Sequence, residues 1–71
     1  MTIMYEINAH YRTGRRGTLN SKHTTKPMRW DKIVVKLAKH GIALRADQEQ
    51  KESTMIYDSP KGRFVVERVY L

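Results

Sequence analysis

The fold class this sequence predicts is α+β: one amphipathic helix packed on a mainly antiparallel sheet of three to five strands. Three observations predict it. Residues 2–12 alternate apolar and polar, residues 28–41 carry an apolar stripe at helical spacing, and residues 54–71 read as two strands around a turn. A helix with one apolar stripe and strands with an apolar face bury each other most simply as two layers. The 71 residues make a single domain, 1–71. A chain this short buries only about 60–65% of its unfolded surface, so its core is thin. The element order is strand, basic loop or weak strand, helix, then three strands.

In Thr2 to Arg12, Ile3, Tyr5, Ile7, Ala9 and Tyr11 fall on one side, with Met4, Glu6, Asn8, His10 and Arg12 on the other. A period of two over this length is a half-buried strand. Thr13 to Lys26 holds one large apolar residue, Leu19, and the glycines Gly14 and Gly17 bracket Arg15 and Arg16. It reads as a hairpin tip with Thr18–Thr25 returning as a weak edge strand, or equally as a mobile loop. In Met28 to Gly41, Trp30, Ile33, Val34, Leu37 and Ala38 follow the i, i+3, i+4, i+7, i+8 pattern, while Arg29, Lys32, Lys36 and Lys39 fall roughly opposite with His40 near their edge. Pro27 suits the first helical position, Thr24 or Thr25 the cap before it, and Gly41 the left-handed residue that ends a helix. Ile42 would then fold back on Leu37.

Ile42 to Gln48 alternates again and predicts a strand, followed by a polar connection to Ser53. Thr54–Asp58 and Arg63–Leu71 are the closing strands. Pro60 and Gly62 between them suit a bulged turn that pairs Ser59 with Arg63 and Ile56 with Val66. The last strand is apolar on both faces. Ile56, Phe64, Val66 and Tyr70 are read as facing the helix.

Charge is unevenly spread. Residues 1–45 carry ten Lys/Arg against Glu6 and Asp31, and residues 46–71 carry four against five acids, for a net +7. Confining the excess to one part of the chain points to a surface for a polyanion. The candidate contacts are Arg12, Arg15, Arg16, Lys22 and Lys26 on the loop, with Arg29, Lys32, Lys36 and Lys39 on the helix. Lys and Arg neutralise phosphates and release counterions, which favours nucleic acid, DNA or RNA, with little sequence specificity. Trp30 and Tyr5 are read as core, and Tyr11 with them.

Other classes find less support. The histidines His10, His23 and His40 have no neighbour at metal-ligand spacing and there is no cysteine, so no metal site is expected. No phosphate-loop or cofactor motif is present, and no pair of carboxylates marks a catalytic centre. The chain is therefore read as not an enzyme. A histidine–lysine–arginine ribonuclease site would require the fold to bring distant residues together. No apolar run approaches a membrane span and no signal-peptide pattern opens the chain, which predicts a cytoplasmic location. The alternative reading is an inhibitor or adaptor, of the kind phages and mobile elements encode, docking on an acidic protein surface.

From the helix onward, the order helix, Gly41, strand, strand, Pro60-Lys61-Gly62, strand resembles the layout of small double-stranded-RNA-binding-like domains, including the HicA-type ribonuclease toxins. The resemblance covers about half the chain and implies, as a third reading, a small ribonuclease-toxin-like domain. Those toxins carry a histidine on the middle strand. Here that place reads Glu52-Ser53-Thr54-Met55.

Overall fold

The structure is a computed structural model. It describes residues 1–13 and 18–71, without the side chains of residues 12, 13 and 18–22. The predicted two-layer α+β fold is present. Four strands, β1 (Ile3–Thr13), β2 (Thr18–Thr24), β3 (Thr54–Ser59) and β4 (Gly62–Tyr70), form an antiparallel sheet in the order β2-β1-β4-β3. One helix, α1 (Trp30–Ala38), lies on one face. Between the two readings of residues 13–26, the strand prevails: β2 pairs with β1 from Thr13↔Thr18 to Asn8↔Thr24, with a register shift beside Tyr11 and Arg12.

The alternation of β1 sets the core as read. Tyr5, Ile7 and Ala9 are buried under the helix with Phe64 and Val66 of β4, and Trp30, Ile33 and Leu37 descend onto them. Tyr5 and Trp30 meet edge to face at 5.3 Å, which suits the opposed charges of ring face and ring edge. The stop of the helix is also as read. Gly41 has φ +84°, and its N–H donates to the Ala38 carbonyl while that of Ile42 donates to Leu37. These are the two bonds of a Schellman ending, and Ile42 joins the core.

The start of the helix differs from expectation. It begins at Trp30, and Arg29 occupies the cap position without a side-chain hydrogen bond. Pro27 is not its first residue. Met28 instead pairs with Tyr5 as an isolated bridge, each N–H donating to the other's carbonyl at 2.8–2.9 Å. Two backbone bonds to a central strand outweigh the small preference of proline for a helix start. Nor do the threonines cap: Thr25 Oγ1 accepts the Ile7 N–H, and Thr24 Oγ1 donates to Asn8.

The strand expected over 42–48 is absent, so two strands follow the helix rather than three, and the layout shared with the ribonuclease-toxin domains is lost. The segment pairs with neither edge strand of the sheet, β2 or β3. Ile42 and Leu44 contribute to the core without a ladder. The segment is pinned by side chains instead. Trp30 Nε1 donates to the Arg45 carbonyl, and buried Gln50 donates to the carbonyls of Glu52 and Val66.

The β3–β4 hairpin is one residue tighter than expected. Ser59 pairs with Gly62 and Ile56 with Val65, leaving a two-residue turn of Pro60 and Lys61. The shift reverses the face of Ile56, which is 57% exposed on the side away from the helix. Phe64 and Val66 face the helix as read, but Tyr70 at the strand end is half exposed. Gly62 is not a left-handed residue. It lets β4 approach β1: a Cβ there would meet the His10 carbonyl oxygen and lie 3.0 Å from Tyr11 Cα.

Candidate functional site

The helix covers β1 but does not extend over β2, and a groove remains between the end of α1 and the β1–β2 strands. Its volume is about 180 Å³. Ile7, Ala9, Tyr11, Leu37 and Phe64 form its floor, and His23, Thr25, Lys36, Lys39 and His40 form its rim. Each arrives for a local reason. Tyr11 ends the inward alternation of β1. His23 and Thr25 share its face because they stand opposite or beside Ala9 and Ile7 in the ladder. Lys36, Lys39 and His40 come from the last turn of the helix and its Schellman ending.

Helical geometry explains why lysines overhang this groove. At about 100° per residue, Lys32, Lys36 and Lys39 fall within about 60° of one another. The arc lies roughly opposite the buried stripe, but Lys36 at its edge stands about 60° from Ile33. Lys36 and Lys39, at the end of the helix, line the groove with Leu37, while Lys32 lies on the same arc toward the helix start. Lys26 and Arg29, both exposed, precede the helix N-terminus. No carboxylate among the described residues is paired with any of these five cations. The ion pairs are Arg45–Asp47 and Arg63–Asp58, both exposed and on other parts of the surface. Lys61 adds a further positive charge nearby, its Nζ donating to the Lys39 carbonyl at 3.4 Å. The free carbonyls of a helix end favour a cation there.

Three rings make a corner at the groove. His40 lies 4.7 Å from Phe64 with planes tilted by 30°, and Tyr11 lies 5.9 Å from each of them. Phe64 is buried, whereas Tyr11 and His40 are half-buried and reach the groove. Tyr11 thus departs from the reading that placed it wholly in the core.

No protein-family model, curated protein or solved structure matches the chain.

Of the residues expected to contact a polyanion, the structure brings Lys36 and Lys39 together at the groove, with Lys32 on the same helical arc and Lys26 and Arg29 exposed ahead of the helix. Arg12 and Lys22 have backbones in β1 and β2, paired with Leu19 and His10. Arg15 and Arg16 lie outside the described residues. Sequence reasoning missed His23, Tyr11 and Lys61, and left His40 at the margin. Reading 18–25 as a strand would have placed His23 beside the lysines, because it alternates with Thr25 and Ser21. Among the described residues there is no cluster able to hold a metal ion, and no helix is long and apolar enough to cross a membrane.

Proposed function

We propose that this protein binds nucleic acid, chiefly at its phosphates, through Lys26, Arg29, Lys32, Lys36 and Lys39, with Arg12, Arg15, Arg16 and Lys22 as further contacts. One observation carries this reading: Lys36 and Lys39 overhang a groove rimmed by two imidazoles and lacking any acidic residue, and neither they nor exposed Lys26, Arg29 and Lys32 are paired with a described carboxylate. Like charges gathered without counter-ions repel, and a polyanion relieves the repulsion. Phosphate contacts position a protein on nucleic acid without reading its sequence, so little sequence preference is expected.

Titrations at several salt concentrations test it. Binding to generic duplex DNA should weaken steeply with salt, log K falling by about 0.9 per neutralised phosphate. The double variant Lys32→Ala/Lys36→Ala, at two exposed positions, should keep the fold and reduce the slope by up to about two. Arg15→Ala/Arg16→Ala should weaken binding of all sequences alike. Shallow salt dependence, with no common loss in the two variants, would favour docking on an acidic protein instead. Cleavage of an RNA strand incubated with the protein would overturn a purely binding role.

A further inference from the structure

We propose that the groove between α1 and β2 receives one unpaired nucleobase whose flanking phosphates rest on Lys36 and Lys39, so that the protein engages single strands in preference to duplex. This rests on the phosphate-binding reading and adds to it a ligand and a strand state.

The lining is sorted by chemistry. Half-buried Tyr11 and His40 offer aromatic surface beside the buried side chains of Leu37, Ala9 and Phe64, while two ammonium groups stand on the rim. A phosphate alone needs no aromatic floor, and a metal cation would meet only positive or neutral groups. A nucleotide matches both tiers: a flat ring with a π-face, joined to an anion. At about 180 Å³ the groove is smaller than the roughly 300–1,000 Å³ of pockets for drug-sized ligands, which limits it to a single ring system. The polar atoms at its rim are available for base edges. The imidazoles of His23 and His40 donate to and accept from no other described residue. Thr25 Oγ1, which accepts the Ile7 N–H, retains a hydroxyl proton to donate. Bases inside a duplex are stacked on both faces and cannot enter such a recess. Bases of a single strand can, and aromatic platforms flanked by cations hold them with little regard to identity.

The test compares three labelled ligands by fluorescence anisotropy at low salt: a single-stranded oligothymidylate, an abasic strand of the same length and charge, and a duplex. Wild type should bind the oligothymidylate about tenfold or more tighter than the abasic strand, as expected for stacking of a base on an aromatic side chain. It should also bind it more tightly than the duplex. His40→Ala should remove most of that difference. His23→Ala, at an exposed position of an edge strand, reports on the same rim if the His40 variant fails to fold. Lys39→Ala should weaken the oligothymidylate and the abasic strand equally. Equal, salt-sensitive binding of all three ligands by wild type would overturn the base-binding groove while leaving the phosphate reading intact. No binding to any of them would remove both.

Discussion

The two faces of this sheet are built from the same strands, one residue out of step, and they have different characters. Under the helix, Tyr5, Ile7, Ala9, Phe64 and Val66 are buried and in mutual contact. On the other face no described element covers Met4, Val65 and Val69, which stay half-buried, and Ile56 stands exposed. There Glu6 faces Glu67 directly across the β1–β4 ladder, and Asp58 pairs with Arg63 across the hairpin. In a small domain, stability is thus concentrated on one face. The other is free to carry like charges side by side.

Substitutions should measure that contrast. The largest effect is expected from Leu37→Ala, which empties a fully buried position. A loss of about 2–5 kcal/mol is typical of such sites and would unfold much of a domain this small. A denaturant midpoint barely moved would mean that Leu37 is not in the core. Next is Gly62→Ala, whose methyl group collides with the backbone of β1. A cost of about 1–3 kcal/mol, as for overpacking, should appear in thermal unfolding, and no side-chain movement can relieve a clash with a carbonyl.

Tyr5→Phe follows. The Tyr5 hydroxyl donates to Glu49 Oε1 at 2.8 Å and to the Gln50 carbonyl at 3.2 Å, so its loss should cost about 1 kcal/mol at neutral pH. Burial, assisted by the hydrogen bond to the Glu49 carboxylate, pushes the Tyr5 phenol up to about 12. The sign follows from the proton count. Between pH 10 and 12 the folded state retains a proton that the unfolded state gives up, so this contribution is complete below pH 10 and disappears as pH rises through 12. Burial raises Tyr57 as well. Stability measured from pH 9 to 12 should fall less steeply in Tyr5→Phe than in wild type, and parallel curves would refute the assignment.

On the open face the effects should be small or of opposite sign. Glu6→Lys replaces a repulsive cross-strand pair with an attractive one and should stabilise by about 0.2–1 kcal/mol, more at low salt. Destabilisation would show that Glu6 is held by something other than its neighbour. Ile56→Thr keeps the β-branched shape and should shift the unfolding midpoint by no more than about 0.5 kcal/mol. A loss as large as that of Leu37→Ala would mean that the exposed face is covered in solution.

The covered face was easier to read from residues than the open one. The alternation of β1 and the Gly41–Ile42 ending could be placed because each is a local pattern with one physical solution. The hairpin register was not legible. Phe64 to Val66 is apolar on both sides, so hydrophobicity could not choose between a two-residue turn and a longer one, and Ile56 was assigned to the wrong face. Ile42, Leu44 and Ala46 alternate as a strand would, but whether that stretch lies along a sheet edge depends on the rest of the fold. The groove shows the same limit. Its lysines lie on one stretch of helix and were visible as an arc. His23, Tyr11 and His40 become neighbours only when β2 pairs with β1 and the helix runs back along them.

The β2-β1-β4-β3 order also governs how fast the chain can assemble. β1 and β2 are neighbours along the chain, but the pairing of β1 with β4 joins Ile3 to Tyr70, nearly the full length of the sequence. Closing so long a loop costs entropy before any contact repays it, and folding dominated by such distant pairs runs in milliseconds to seconds, not microseconds. Until β4 docks, one side of the central strand has unpaired N–H and carbonyl groups beside the exposed rings and methyl groups of its apolar face. A second chain can pair there as readily as the correct strand. Refolding yield should therefore fall as protein concentration rises. A yield independent of concentration would place the β1–β4 pairing early.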